Sequence, residues 1–238
     1  MVKAGTGDWG FGTGTYREVR GLRGDVKGQM NVRTTLFSEN EQEEIRRAVE
    51  AAEAATSGEI VALVVPESDR YREAEVLGGV LLGGLLALVA GIILHHVTVW
   101  FFVPAVFILF FPCRILFCKI PWLKRSLLTR PRLESAVRER CVHAFYEKGL
   151  HRTRDETGVF IFISVLERKV WIIGDRGINE RITPETWHEL AHELSNGIRE
   201  GRACESLVSV IGKCGKILVE HFPRKADDIN ELPNEVMG

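Results

Sequence analysis

A long run of apolar residues divides the chain into two polar parts. Val76–Leu94 and Val97–Pro112 contain no charged residue, and only Arg114 interrupts the apolar residues that continue to position 118. About 20 apolar helical residues are enough to cross the hydrocarbon core of a bilayer. The two segments are each near that length and are separated only by His95–His96. The sequence therefore predicts a transmembrane helical hairpin over residues 76–118.

Outside this hairpin the pattern is that of a soluble α/β domain. Ser38 and Glu41 form a capping box that begins a helix extending to about Thr56. An apolar run then predicts a buried strand. After the hairpin, the apolar stripes and β-branched runs predict three helices and two central strands. These elements are the strand Glu59–Val65, a helix from Pro131 to about Lys148, the strands Gly158–Val165 and Lys169–Gly174, and helices from Thr183 to about Glu200 and from Ala203 to His221.

The order of the elements predicts a three-layer α/β/α sandwich with a small mixed sheet, interrupted by the two-helix transmembrane hairpin. Only Leu166–Arg168 separates the last two strands, so they must pair antiparallel. A two-residue turn then sets Asp175 opposite Gly158. Residues 37–66 and 131–223 are two parts of one domain, the glycine-rich segment 1–36 is predicted to be disordered, and the tail 224–238 is predicted to be flexible.

The composition changes abruptly near Met30, from glycine-rich to helix-like sequence. This change raises the hypothesis that Met30, rather than Met1, is the natural start. Five isolated cysteines without a C-x-x-C spacing favour reduced thiols in a cytosolic domain.

The distribution of charge predicts how the hairpin is oriented. The formal net charge is −1, so no bulk field favours nucleic acid, and we expect no nucleic-acid partner. Basic residues flank the hairpin, and by the positive-inside rule these flanks stay in the cytoplasm. We therefore expect a multi-pass protein of the cell (inner) membrane with its soluble domain on the cytoplasmic side. The flanking basic residues are Arg70, Arg72, Lys119, Lys124, Arg125, Arg130 and Arg132.

Glycines at positions 78, 79, 83, 84 and 91 line the first span. Gly79 and Gly83 have the small-x-x-x-small spacing that lets transmembrane helices approach closely. Such packing can form within the hairpin or between copies of the chain. Self-association through the glycine-rich first span is therefore one expectation, besides contact with the lipid bilayer.

Four pieces of the sequence together resemble the TPM domain family. They are Ser57–Ile60 entering the first strand, Thr157–Ile161 opening the second, Glu167–Val170 leading to Asp175–Ile178, and His221–Pro223 closing the last helix. The resemblance covers roughly residues 36–66 and 132–223, and it implies an α/β/α sandwich.

Members of that family are associated with acid phosphatase activity, calcium binding, photosystem repair and receptor modulation, so the resemblance does not fix one function. Many members are exported behind a signal peptide, whereas here no such signal is visible and the anchor interrupts the domain. This difference argues against the exported, lumenal roles.

An acidic cluster is the first candidate for chemistry. The antiparallel register brings Asp155, Glu156 and Asp175 to one end of the sheet, and Glu59 joins them if its strand runs parallel to the second strand. Clustered carboxylate oxygens suit Ca²⁺ or Mg²⁺, and a metal there could orient a phosphate. Alternatively, these acids are solvated strand ends, and Asp175 accepts backbone hydrogen bonds at the turn that follows it.

The second candidate is the sequence His188-Glu189-Leu190-Ala191-His192, which matches the H-E-x-x-H pattern of zinc peptidases. His188 and His192 share a helix face and could hold zinc, with Glu189 as the base. Their position on the flank of the predicted core face, beside Arg199, and the lack of a third ligand at a distinctive spacing favour a chance match.

The function predicted from these observations is that of a non-catalytic scaffold, assembly or quality-control factor, which recognises a membrane or membrane-proximal protein partner. One alternative is a Ca²⁺- or Mg²⁺-dependent phosphatase that uses the acidic cluster. A second alternative is a zinc peptidase that uses His188 and His192.

Overall fold

The structure, a computed structural model, describes residues 36–95, 98–153 and 156–224. The predictions of a start at Met30, of disorder in residues 1–36 and of flexibility in residues 224–238 concern residues 1–35 and 225–238, which lie outside the described residues. The helices are α1 (Glu39–Glu53), α2 (Arg72–Ile93), α3 (Val99–Lys119), α4 (Pro121–Ser126), α5 (Arg130–Glu147), α6 (Arg176–Asn179), α7 (Pro184–Arg199) and α8 (Ala203–His221), with a 3₁₀ turn at Leu150–Arg152. The strands are β1 (Glu59–Val65), β2 (Gly158–Ser164) and β3 (Lys169–Gly174).

The three strands form one mixed sheet in the order β1-β2-β3. Strand β1 pairs parallel with β2, which places Glu59 opposite Gly158. Strand β3 pairs antiparallel with β2, from Ser164 opposite Lys169 to Val159 opposite Gly174. All residues of β1 and β2 are buried, as continuous β-branched and aromatic runs require. The predicted small mixed sheet is confirmed.

Helices cover both faces of the sheet, which confirms the α/β/α layers. Because side chains alternate along a strand, the even-numbered residues of β1 face one core and the odd-numbered residues face the other. Helices α1, α7 and α8 pack on the first face, where Ile60 and Val64 join Leu194 and Leu207. Helix α5 packs on the second face against Val61, Leu63, Phe160 and Phe162.

Helices α2 and α3 form the hairpin inserted between β1 and the rest of the domain. Both are long and apolar enough to cross a membrane, judged by length and composition. The glycine-rich side of α2 faces α3: a Cβ at Gly78 would lie 2.5 Å from the ring of Phe117, and one at Gly83 would lie 3.2 Å from the backbone nitrogen of Phe110. These glycines therefore serve close packing within the hairpin.

Three short elements were not predicted from the sequence: α4, α6 and the 3₁₀ turn. Each has six residues or fewer. Such lengths are too short for an apolar periodicity to appear. All three elements carry side chains of the candidate sites described below.

Candidate functional site

Three of the four residues predicted to form an acidic cluster are described, and all three lie near the start of β2: Glu59, Glu156 and Asp175. Glu59 lies opposite Gly158 across β1 and β2, and the backbone N–H of Asp175 donates to the carbonyl oxygen of Gly158 at 2.8 Å. Asp175 is also the N-cap of α6, where its Oδ1 accepts a hydrogen bond from the backbone N–H of Arg176 at 2.7 Å. One oxygen of Asp175 is thus used as a cap, in agreement with the alternative interpretation of this residue.

Glu156 holds this corner together through both its backbone and its side chain. Its carbonyl oxygen accepts from the N–H of Gly177 at 3.1 Å, and its Oε2 lies 3.3 Å from Nε of Arg176. Asp155, the fourth predicted ligand, lies outside the described residues. Among the residues that are described, no group of three or more His, Cys, Asp or Glu side chains is placed to hold a metal ion. A metal site with Glu59, Asp155, Glu156 and Asp175 therefore stays a prediction.

His151 also lies at this end of the sheet, and no sequence pattern predicted it. Its ring lies 5.0 Å from that of Tyr146, measured between centroids. Within the described part of the chain, His151 Nδ1 and Asp175 Oδ2 are buried atoms without a hydrogen-bond partner. Burial raises the pKa of Asp175, and Glu156 raises it further, while the Arg176 N–H bond and His151 act in the opposite direction. An imidazole and a carboxyl group of raised pKa thus share one half-buried corner.

Glu53 is a second group that sequence reasoning did not identify. Its Oε1 accepts a hydrogen bond of 2.8 Å from the backbone N–H of Ile60, on the outer edge of β1. Burial raises the pKa of Glu53 from 4.5 to about 8, and the negative charges of Glu59 and Glu50 add to this effect. A protonated Glu53 at neutral pH covers a strand edge that would otherwise expose unpaired backbone groups.

The H-E-x-x-H pattern lies on the flank of the core face of α7, as predicted from the sequence. Trp187 and Leu190 are buried beside it, whereas Glu189 and His192 are exposed. Nδ1 of His192 lies 3.0 Å from Nδ2 of Asn196. The assignment of zinc to His188 and His192 remains a prediction. Measuring the zinc content of the purified protein would test it.

The most extensive polar network lies at the opposite end of the sheet, where the domain meets the hairpin. The hydroxyl of Tyr71 donates to Oε1 of Glu167 at 2.5 Å, and the backbone N–H of Ser68 donates to the same oxygen at 2.8 Å. Ser164, at the end of β2, donates to the other carboxylate oxygen. Tyr71 and Glu167 are fully buried. Burial, followed by the charge of Glu167, raises the pKa of Tyr71 far above its usual range.

Ion pairs extend this junction around the base of the hairpin. Lys124 of α4 is buried, with its Nζ 2.8 Å from Glu67 and 3.3 Å from Glu75. Burial lowers the pKa of Lys124, but these two carboxylates outweigh burial and raise it overall. Arg132 of α5 pairs with Asp69 and Glu73, and Arg114 lies 3.9 Å from Glu75. The list of residues that form this junction is Glu67, Ser68, Asp69, Tyr71, Glu73, Glu75, Arg114, Lys124, Arg132, Ser164 and Glu167.

The cysteines are free thiols. In the soluble domain, burial raises the pKa of Cys141 well above its usual range and that of Cys214 to about 12. Because the thiolate is the reactive form of cysteine, these two residues act as small apolar core side chains.

Comparison with known proteins assigns the second part of the domain to a family. An NMR structure of the BA42 protein from the psychrophilic bacterium Bizionia argentinensis superposes with a TM-score of 0.53, at 21% identity over 84% of this chain and 94% of that one. At this identity the likeness shows the fold alone. No curated protein matches the chain. Residues 127–216 match the family model described as the TPM domain, in agreement with the resemblance of the sequence to that family.

Proposed function

We propose that this protein is a membrane-anchored, non-catalytic TPM-domain factor, which holds a recognition surface for a protein partner close to the cytoplasmic face of the inner membrane. The observation that carries the proposal is the buried junction, in which Tyr71 at the start of α2 is bonded to Glu167 in the β2–β3 turn. The hairpin is thereby fixed to the sheet by side chains and does not hang from a flexible linker.

The physical consequence is a restricted orientation of the domain. Residues just before α2 are held by the β2–β3 turn through Ser68 and Tyr71, and by α5 through Arg132. Lys124, which follows α3, pairs with Glu67 in the same segment. A domain held at several points can present only one side to a partner in the same membrane. Pre-organisation of this kind lowers the entropic cost of binding. It suits a scaffold or an assembly factor.

The use of the charged groups supports a non-catalytic role. Glu53 covers the edge of β1, Asp175 caps α6, and Glu167 accepts several bonds within the junction. One oxygen each of Glu53 and Asp175, and both oxygens of Glu167, thus have a structural partner. His188 and His192 lie on an outward flank of α7.

The proposal is tested by crosslinking in native membranes followed by mass spectrometry, with the wild type and a Tyr71→Phe/Glu167→Gln variant. We expect the wild type to capture one or a few membrane proteins reproducibly, and the variant to capture them less because its domain is less constrained. A Tyr146→Phe variant, altered at an exposed tyrosine, serves as the matched control. Release of the protein by alkaline carbonate, or a periplasmic reading from a reporter fused after Gly238, would contradict the membrane topology.

A metal-assisted phosphatase is the second candidate, because Asp175, His151 and Glu156 share one half-buried corner beside Glu59. In this alternative a Ca²⁺ or Mg²⁺ ion bound by Glu59, Asp155, Glu156 and Asp175 would orient a phosphate ester. Calorimetric titration with Ca²⁺ and Mg²⁺, together with hydrolysis of a generic aryl phosphate, tests it. Metal-dependent heat and turnover that both disappear in Asp175→Asn would favour the enzyme over the scaffold.

A further inference from the structure

We infer that the base of the hairpin forms a binding surface for anionic phospholipid headgroups, with Lys119, Arg72 and Arg130 as the cationic contacts and Trp122 as the apolar contact. This inference rests on the proposed membrane span. It adds a preference for one class of lipid and identifies the residues of the basic flank that bind its headgroup.

Ion pairs divide the basic residues on either side of the hairpin into two groups. Residues 67–75 and 114–132 contain eight basic and four acidic side chains, a net charge of +4, whereas the whole chain carries −1. The four acids are engaged by three of the cations, namely Arg114, Lys124 and Arg132. Lys119, Arg72 and Arg130 are exposed. These three side chains therefore place positive charge on the surface beside the junction.

The fold places these three exposed cations near the same end of the hairpin. Helices α2 and α3 pack antiparallel, with Gly78 against Phe117, so the first residue of α2, Arg72, lies near the last residue of α3, Lys119. Arg130 begins α5, which reaches the first turn of α2 because Arg132 pairs with Glu73. All three residues thus lie near the same end of the apolar hairpin, where headgroups would lie around a membrane-spanning hairpin.

Helix α4 buries a charged side chain and exposes an aromatic one, which is the opposite of what is expected for a helix in water. Its Lys124 is 4% exposed, whereas the indole of Trp122 is 67% exposed. A tryptophan turned outward beside a lysine turned inward suits the membrane interface, where the indole ring is favoured. Trp100, which is 91% exposed, lies at the other end of α3. The 21 residues of α3 span about 31 Å, close to the ~30 Å thickness of the hydrocarbon core.

Charge complementarity selects the lipid. Each Lys or Arg close to an anionic surface contributes about 1 kcal/mol of attraction, and a zwitterionic headgroup provides no net charge for it. An aromatic anchor next to surplus cations therefore favours phosphatidylglycerol or another anionic lipid over phosphatidylcholine.

The test is native mass spectrometry of the full chain in micelles, titrated with phosphatidylglycerol or phosphatidylcholine. We expect the wild type to retain phosphatidylglycerol preferentially. Lys119→Gln/Arg130→Gln should weaken that binding about 30-fold, the equivalent of two such charges. Arg199→Gln/Lys216→Gln, which removes two exposed charges from α7 and α8, should leave it unchanged, and inorganic phosphate should not compete.

A second measurement does not depend on the folding of the charge variants. In vesicles of phosphatidylcholine with brominated phosphatidylglycerol, the wild-type fluorescence should be quenched, and Trp122→Phe should remove part of that quenching. Equal retention of the two lipids, or unchanged phosphatidylglycerol binding by folded Lys119→Gln/Arg130→Gln, would overturn the inference. Release of the wild type by alkaline carbonate would instead contradict the proposed membrane anchor.

Discussion

The hydroxyl of Tyr71 donates a hydrogen bond of 2.5 Å to Oε1 of Glu167, although the two residues are 96 positions apart and lie on opposite sides of the hairpin in sequence. Both side chains are fully buried. This bond joins the residue that precedes α2 to the turn between β2 and β3. It closes the domain around the inserted hairpin.

Removal of this hydroxyl should destabilise the domain. Tyr71→Phe leaves a buried carboxylate without one of its donors, and we expect the free energy of unfolding to fall by about 1–3 kcal/mol. Urea unfolding of the full chain in micelles, followed by tryptophan fluorescence, measures the change. Tyr146→Phe alters an exposed ring and should change the free energy of unfolding by less than about 0.5 kcal/mol. Equal stability of Tyr71→Phe and the wild type would show that the junction does not stabilise the fold.

Glu53 should make the stability of the domain depend on pH. Its pKa is 4.5 in an ordinary environment and about 8 in the fold. Below pH 4.5 both the folded and the unfolded chain hold the proton, so this group imposes no penalty. As the pH rises from 4.5 to 8, only the unfolded chain ionises, and the free energy of unfolding should fall by up to about 5 kcal/mol in total.

The substitution Glu53→Gln separates this effect from other titrating groups. Glutamine keeps an oxygen that can accept from the N–H of Ile60 but does not ionise. We expect the variant to match the wild type near pH 5 and to exceed its stability at pH 8, in thermal unfolding followed by circular dichroism. Glu189→Gln, at an exposed position of α7, should keep the pH dependence of the wild type. If the stability of the wild type changed between pH 5 and pH 8 by the same amount as that of Glu53→Gln, this result would contradict the raised pKa of Glu53.

Local signals in the sequence were enough to predict the framework. The capping box is present, with the N–H of Ser38 donating to Oε2 of Glu41 at 2.8 Å. Strands β1 and β3 have the predicted bounds, because a continuous β-branched run between turn residues is typical of a buried strand. The register that sets Asp175 opposite Gly158 followed from the short connection between β2 and β3.

The polar contacts of the sites could not be predicted in the same way. Glu53 and Glu167 look like ordinary surface acids in sequence, and their burial depends on partners 7 and 96 positions away. Lys124 belongs to a helix of six residues, in which no periodicity shows that it turns inward. Pairing between distant polar groups depends on the assembled fold, and it produces no periodic pattern in the sequence.

Ser195 offers a stabilising substitution. Its side chain is 3% exposed, and its Oγ has no hydrogen-bond partner within the described residues. A buried hydroxyl without a partner costs free energy, so Ser195→Ala should raise the free energy of unfolding by about 1 kcal/mol. Thermal unfolding measures the shift. Ser209→Ala on α8 loses an exposed bond of 3.1 Å to Glu193 and should lower stability by no more than about 0.5 kcal/mol. A destabilised Ser195→Ala would indicate that the hydroxyl has a partner, such as a bound water.

Adjacent glycines of the hairpin provide the most closely matched pair of variants. A Cβ at Gly83 would lie 3.2 Å from the backbone nitrogen of Phe110, whereas one at Gly84 would meet no atom within 4 Å. Gly83→Val must therefore push α2 away from α3, and overpacking of this kind costs about 1–3 kcal/mol. We expect a lower thermal midpoint in micelles for Gly83→Val, and a midpoint close to that of the wild type for Gly84→Val.

The same pair distinguishes packing within the hairpin from self-association. Because Gly84 is not used inside the hairpin, an interface between copies through this part of the first span would be disturbed by Gly84→Val. Sedimentation in density-matched detergent would then show a loss of dimers without a loss of thermal stability. A lowered midpoint for Gly84→Val at protein concentrations where the chain is monomeric would contradict the packing of α2 on α3, in which no described atom lies within 4 Å of a Cβ at this position.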